Sequence, residues 1–412
     1  MSSSVTIAIL GRGLVNWGGG IDLLRILVNG LMAVQRDGEP IHVLLPRDNW
    51  RNHLVMLLLT LHARVLGART NTPRRSALSL RRSDEQLRSA FATYGKRVEI
   101  RFFDDTRRGL RQALREVRAD VVLPCTHSLG KSFEVPWIGY ILDFQHVHLP
   151  HLFSGWNRLY RRHTYDALLR EARTILVNAR TVEADAQRLY PGSHAVISAL
   201  PFAPSLRSEW LTVDVAGARR KYGVPERYFI ICNQFWVHKD HKTAFRAFAS
   251  TLRALPEGDQ ALALVCTGSM DDYRAPRHLG ELRELLGQLN IAARVHLLGH
   301  IDKDDQIALL RGAIAVVQPT LFEGGPGGGA LYDAVALGVP SIVSDIPVNR
   351  EIDDAFVHYF KPQQPEDLAR QMLEALRRPR PAVDDSELLA RSAARVRRLG
   401  ETLHAAVLTA LR

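Results

Sequence analysis

Short apolar runs rich in β-branched residues recur along this chain, and between them lie segments whose apolar positions have helical spacing. VTIAIL, IHVLLP, VEIRFF, DVVLPC, WIGYIL and TILVNA occupy the first half; YFIICNQFW, ALALVCTG, VHLLGH, AIAVVQPT and PSIVSD occupy the second. Such alternation restricts the chain to parallel α/β architecture, because parallel strands need long crossovers and helices supply them. The series pauses at LPFAPSLRSEWLTVDVAG and then starts again, and 412 residues suffice for two domains of ordinary size. The expected organisation is one α/β domain over 1–205, a second over 206–390, and a last helix, 391–412, with room to pack back on the first domain.

Composition narrows the function classes. Cys125, Cys232 and Cys266 are too scattered for a disulfide framework or a metal site, which points to a reducing, cytoplasmic setting. The opening MSSSVTIAIL lacks the basic and long apolar regions of a secretory signal and suits a first strand. Of the net charge of +11, most sits between Arg51 and Arg118, with sixteen Lys or Arg against six Asp or Glu. Two readings of that stretch stand: a solvated basic face, or a footprint for something anionic such as a phospholipid surface or a lipid pyrophosphate. The enclosed apolar run Leu54–Leu59 is too short to span a bilayer and suits a buried helix or an interfacial segment. Nucleic acid is disfavoured, because stacking aromatics are not interleaved with the basic residues.

Ligands of doubly wound sheets bind beyond the carboxyl ends of the strands. The first such loop, GRGLVNWGGG, has Gly11 and Gly13 of a dinucleotide fingerprint, but Asn16 fills its third position and no acid closes the next strand, which disfavours a nicotinamide or flavin enzyme. Gly19 and Gly20, ahead of a helical segment, suit close approach to a phosphate or substrate. In PTLFEGGPGGGALYDAVALGVPSIVSD, a glycine loop joins a buried strand to a helix. Gly327, Gly328, Gly329, Ala330 and Leu331 there present backbone N–H groups and a helix dipole, as a diphosphate requires. Glu323 and Asp333 flank that anion site as acceptors for hydroxyl groups, and a diphosphate with hydroxyls is a nucleotide sugar. The plainer readings are a surface loop acid for Glu323 and a dipole-favoured acid in the first helical turn for Asp333.

DAVALGVPSIVSD resembles the donor-binding signature of retaining glycosyltransferases of family four, which have the GT-B fold of two Rossmann-like domains facing one another across a cleft. The resemblance implies that Asp333 holds the ribose hydroxyls and Glu323 contacts the donor sugar. Here the second acid is Asp rather than Glu, and ten positions instead of eight separate the two. ICNQFWVHKDHKTAFRAFA resembles the strand, loop and helix that carry an Arg and a Lys toward the diphosphate. Lys239 keeps the lysine place, Gln234 stands where the arginine is usual, and His238 is a candidate to make up the missing charge. LLGHIDKDDQ resembles the segment that meets the base, implying Gly299, His300 and Ile301. In the first half, DFQHVHLPHLFS resembles a subgroup segment that places Asp143, Gln145 and His146 near the donor sugar, although Leu142 occupies the position of the more general family's histidine.

The resemblance implies a metal-independent retaining transferase without a bound cofactor, in which Lys239, Glu323, His146 and Asp143 serve catalysis. Its donor would be a nucleoside-diphosphate sugar and its acceptor a saccharide or a lipid-linked molecule, in cell-surface polysaccharide or glycolipid synthesis. The enzyme would be cytoplasmic, with an anionic membrane surface as a further partner. The alternatives are a GT-B sugar-nucleotide epimerase and a non-enzymatic protein that binds sugar nucleotides.

Overall fold

The computed structural model describes residues 5–16, 18–35, 41–47, 83–256, 261–272, 274–378 and 383–412. The apolar run Leu54–Leu59 lies outside the described residues, as do Arg51, Arg64, Arg69, Arg74, Arg75, Arg81 and Arg82. The chain forms two compact units, one of residues 1–201 with 396–412, the other of 202–395.

The first unit holds seven strands: β1 Ile7–Leu10, β2 Ile41–Pro46, β3 Val98–Phe103, β4 Val121–Cys125, β5 Trp137–Ile141, β6 Thr174–Val177 and β7 Val196–Ala199. They pair in parallel in the order β3-β2-β1-β4-β5-β6-β7. The second unit holds β8 Tyr228–Cys232, β9 Ala263–Thr267, β10 Val295–Gly299, β11 Val316–Gln318, β12 Ser341–Ser344 and β13 Val357–Phe360, again parallel, in the order β10-β9-β8-β11-β12-β13. Both sheets are the doubly wound, Rossmann-like kind that the alternation of runs demands. The order reverses between β1 and β4 in one and between β8 and β11 in the other, so a ligand crevice is expected beyond those strand ends.

Period-two geometry explains why the strand sequences are apolar throughout. In β8, Tyr228 and Ile230 enter the core on one face of the sheet, while Phe229 and Ile231 enter the core on the other. β9 repeats the division with Val265 against Leu264 and Cys266, and β12 with Val343 against Ile342. A strand with helices on both faces has no solvated side, so no polar alternation survives in the sequence.

Polar residues start the helices where the sequence turns away from strand. Thr106 accepts from the Gly109 N–H ahead of the helix Arg107–Glu116, Ser154 from Asn157 ahead of Gly155–Glu171, and Asp214 from Gly217 ahead of Val215–Tyr222. The last helix, Asp385–Leu411, serves both units. Its first part is fixed in the second unit, where Ser392 Oγ accepts from the Leu206 N–H at 2.7 Å. Its later part lies against the helix Gly18–Val34 of the first unit, where Gly30 faces Leu399 and Gly400. A Cβ on Gly400 would sit 2.1 Å from the Gly30 carbonyl oxygen, so the backbones approach to a distance only glycine permits. Gly400→Val should therefore lower the stability of the first unit by about 2 kcal/mol, the typical cost of overpacking. Urea unfolding followed by circular dichroism measures it, and an unchanged midpoint would mean the helices can separate without cost.

Candidate functional site

In the second unit the site is built from β8 and β11, the two strands that flank the reversal of order. β11 ends in Gln318, an amide that is almost wholly buried at the tip of an apolar strand. Its Oε1 accepts from Asn233 Nδ2 at 2.6 Å, just past the end of β8. Its Nε2 donates to the Gly327 carbonyl at 2.6 Å and to Glu323 Oε1 at 3.1 Å. The other side of the Gly327 peptide is held by Asn349, whose Oδ1 accepts the Gly327 N–H at 2.8 Å. Asn349 is fully buried and donates to the Ser344 carbonyl at 2.8 Å. The glycine loop is thus a fixed structure anchored to three strands.

Glycine is required in that loop by conformation and by space. Gly327 and Gly328 have φ of 66° and 70°, the left-handed region that side chains rarely adopt. A Cβ on Gly328 would also crowd the Glu323 carboxylate at 3.3 Å. Gly329 opens the helix Gly329–Ala336, and nothing lies within 4 Å of the place its Cβ would take. Gly329 and Ala330 carry the N–H groups that a first helical turn leaves without intrahelical partners, and Leu331 is in the core.

The two acids beside this loop are each met by a lysine. Lys239 donates to Glu323 Oε1, and both side chains are about nine-tenths buried. Lys303 Nζ lies 2.5 Å from Asp333 Oδ2, with the Asp333 side chain buried. Lys303 begins its helix two residues after Ile301, so the end of β10, with Gly299, His300 and Ile301, is tied to the Asp333 helix. Gly299 has a φ of 72°, and its carbonyl accepts the Gly268 N–H at 2.8 Å. His300 is exposed and Ile301 is half-buried against the core.

Lys239 sits in a short helical turn, Val237–Lys239, that is clamped from two directions. The His238 carbonyl accepts from the Leu321 N–H at 2.8 Å, which ties the turn to the loop that carries Glu323. Below it, Asp272 Oδ2 accepts the Val237 N–H at 3.1 Å, while Asp272 Oδ1 holds Arg274 Nε at 3.2 Å. Arg274 stacks over Trp236 at 4.8 Å and reaches His238 Nδ1 at 3.4 Å. Burial, reinforced by Lys239 and Arg274, pushes the His238 imidazole down to about 2, so it is neutral. The fixed charge beside Lys239 is therefore the guanidinium of Arg274, which the sequence reading did not single out. Gln234, half-buried in this loop, keeps a place next to Asn233.

Among the described residues no group of three or more His, Cys, Asp or Glu gathers as a metal ligand set. All three cysteine thiols are pushed upward by burial, Cys232 to about 12, which leaves them protonated. A cavity of about 300 Å³ in this unit lies at the opposite ends of the strands, between Arg227, Ala313, Pro340 and His358, away from the site.

In the first unit, Asp143 follows β5 and is buried, with Oδ1 accepting from the Gln145 N–H at 2.9 Å and from Arg161 Nη1 at 3.3 Å. Gln145 and His146 occupy one helical turn, Gln145–His148, and both are buried. The His146 ring lies edge-on to Tyr165 and Phe153, with centroids 5.6 and 6.4 Å apart. Burial, with Arg161 adding to it, lowers its pKa to about 4. Gly19 and Gly20 start the helix Gly18–Val34 beyond β1, and β4 separates β1 from β5 in the sheet. A Cβ on Gly20 would meet the Leu14 carbonyl oxygen at 2.0 Å, so packing alone already requires glycine there.

Residues 218–394 match the family model of glycosyl transferases group 1. No curated protein matches the chain. Among solved structures it is similar to sucrose-phosphate synthase from Thermosynechococcus elongatus, with 16% identity, a TM-score of 0.59, and 98% of this chain and 94% of that one covered. It is similar to Anabaena HepE in complex with UDP-glucose at 14% identity and a TM-score of 0.58, with 99% and 98% covered. A trehalose-6-phosphate protein from E. coli bound with UDP-2-fluoro glucose gives 11% identity and a TM-score of 0.60, with 98% and 99% covered.

Two measurements test this construction. Gln318→Leu leaves the Asn233 amide and the Gly327 carbonyl buried without partners, at about 1–3 kcal/mol each. Calorimetric unfolding of the variant should therefore show a loss of roughly 3 kcal/mol, and a loss below about 1 would mean the loop stands without its anchor. The second concerns acid. His238 and His241 are neutral in the folded protein, the latter lowered to about 3 by burial and then by His278 and Lys239. In unfolded chain both titrate near 6.5, so the stability they carry is complete above that pH and is lost as pH falls toward their folded values. His241→Phe, which keeps the ring stacked on Phe235 at 4.2 Å, should reduce the slope of stability against pH below 6.5 by about 1.4 kcal/mol per unit. An unchanged slope would mean the ring is protonated in the fold.

The second unit carries a glycosyl transferases group 1 domain, and the chain as a whole has the GT-B fold.

Proposed function

We propose that the protein is a retaining glycosyltransferase that moves a sugar from a nucleoside-diphosphate sugar to a saccharide or lipid-linked acceptor, in the synthesis of a cell-surface polysaccharide or glycolipid. One observation carries this reading: a glycine loop, anchored on Gln318 and Asn349, opens a helix between the buried Lys239–Glu323 pair and a second pair in which the exposed Lys303 meets the buried Asp333.

Each pair suits one part of such a donor. The diphosphate takes Lys239 and the N–H groups of Gly329 and Ala330, since both favour anions. When Lys239 turns to the phosphate, the Glu323 carboxylate is left to accept from the sugar hydroxyls, so one exchange of partners fills both roles. Asp333 accepts from the ribose hydroxyls, with Lys303 alongside, and Gly299, His300 and Ile301 meet the base. Asp143, Gln145 and His146 of the first unit serve the sugar being transferred and the acceptor, with Asp143 fixed by Arg161. UDP-glucose, present in the HepE complex, is the first donor to try.

In the reaction the bond between the anomeric carbon and the leaving oxygen of the diphosphate breaks. The acceptor oxygen attacks from the same face, and its proton passes to that leaving oxygen. The protein contributes electrostatics and position: Lys239 and the helix start stabilise the negative charge that grows on the diphosphate. The scheme uses no metal and no bound cofactor, and the thiols, being protonated, take no part. With a cytoplasmic donor pool, the protein works in the cytoplasm or at its membrane face.

The test starts with thermal stabilisation by a panel of nucleotide sugars, because binding to the folded state raises apparent stability. Asp333→Ala should weaken the nucleoside diphosphate and the full donor alike in calorimetric titration. Glu323→Ala should spare the diphosphate and weaken only the sugar-dependent part. Lys239→Ala should cut turnover by about 10²–10³, equal to roughly 3–4 kcal/mol. Because it also strands Glu323, it is compared with Lys239→Ala/Glu323→Gln, which should recover stability but not rate. Equal losses for the two acid variants, or an inverted anomeric centre in the product by NMR, would overturn the assignment.

A further inference from the structure

The helix Gly155–Glu171 begins in a way that the rest of the fold does not explain. Residues 154–160, almost two turns, are all exposed, and the Tyr160 hydroxyl also meets His127 Nε2 at 3.0 Å. Trp156 is 78% exposed, Leu159 57% and Tyr160 55%. These three, at positions i, i+3 and i+4, form one stripe, and Val147 from the preceding turn is also exposed. Four of the seven large apolar side chains exposed among the described residues lie in this one segment. The charge around the stripe has a single sign. Between Asp143 and Asp166 the chain has no Asp or Glu, whereas Arg158, Arg161 and Arg162 lie on the helix. Arg158 and Arg162 are exposed, while Arg161 turns inward to Asp143. Farther along, Tyr165, Leu168 and Leu169 fix the helix to the core.

We infer that this half-helix is a docking surface for an anionic bilayer. A stripe of Trp, Leu and Tyr edged by arginines is the composition of an interfacial helix: apolar side chains enter the boundary of the acyl chains and the guanidinium groups meet lipid phosphates. No described helix is long and apolar enough to cross a membrane, so this contact lies on the surface. The described part of the basic stretch 51–118 is a weaker candidate, because several of its arginines are engaged by the protein's own groups. Arg107 donates to the Leu129 carbonyl, Arg111 pairs with Glu134, and Arg88 lies over Phe102. The docking helix is also the one that supplies Arg161 to Asp143 and Tyr165 to His146. The surface therefore holds the acceptor-side residues of the first unit at the bilayer, which is where a lipid-linked acceptor resides. The purpose of the docking, though not the contact itself, rests on the transferase reading.

The full-length protein is sedimented with vesicles of phosphatidylglycerol and phosphatidylcholine and with vesicles of phosphatidylcholine alone. Binding to the mixed vesicles only, reversed by high salt, is expected. Trp156→Ser/Leu159→Ser and Arg158→Glu/Arg162→Glu should each weaken it by about tenfold or more, with thermal stability unchanged because these side chains are exposed. A wild type that ignores lipid charge, or variants that bind as tightly as it does, would overturn the inference. So would a stripe buried instead in a dimer, seen as a change of mass in solution on mutation. Stabilisation by nucleotide sugars is measured on the same samples: if it is absent while vesicle binding stands, the transferase reading fails and the docking surface does not.

Discussion

The amide of Gln318 is the constraint on which the second unit's working end depends. A strand that is apolar on both faces must end, and its last side chain must connect it to whatever follows without leaving a polar atom stranded. Gln318 does this with both ends of its amide: it accepts from Asn233 beyond β8 and donates to Gly327 and Glu323 beyond β11. A buried polar network stabilises one arrangement only when its members are satisfied. Here that arrangement sets the distance between the lysine turn and the glycine loop.

The same network explains how charged groups can remain buried beside the glycine loop. An isolated carboxylate would be costly beneath the surface, and a lysine equally so. Glu323 and Lys239 cancel each other, as Asp333 and Lys303 do. Sequence reasoning assigned Lys239 to the diphosphate and the two acids to hydroxyl groups, but it did not pair Lys239 with Glu323, and it did not single out Lys303. An anion that entered here would compete with Glu323 for Lys239 and would release a carboxylate in doing so. The pair thus stores, in the protein alone, the same charges that a diphosphate and a polyol would require.

What the sequence made legible was what local rules govern. Strand runs, the glycine loop and the helix after it follow from periodicity and from backbone freedom at Gly327 and Gly328. What it hid was pairing set by strand order. Lys239 and Glu323 are 84 residues apart, Lys303 and Asp333 are 30 apart, and Gln318 meets Asn233 only because β8 and β11 are neighbours. Asp272 and Arg274 were invisible for the same reason, since they act on the loop of a different strand. Single polar residues ending apolar runs, as in AVVQPT and ICNQ, were the available signal. Gly20 marks the opposite difficulty: a glycine that suits a ligand by sequence is also demanded by the Leu14 carbonyl.

The two units have the same doubly wound order, so the fold alone cannot say which of them holds a ligand. The loops at their reversal points do differ. In the first unit the loop after β1 is closed by the protein itself: a Cβ on Gly13 would strike Thr126 Oγ1 at 2.4 Å, and Arg12 is held by Asp105 at 2.6 Å. In the second, the corresponding loops carry a lysine turn on one side and a glycine-started helix on the other, with open space at Gly329. A reversal point filled by its own side chains supports architecture, whereas one lined by cations, carboxylates and free backbone donors is prepared for a charged, hydroxylated ligand. On the proposed reading, the donor is therefore assigned to the second unit, and the first is left for the acceptor.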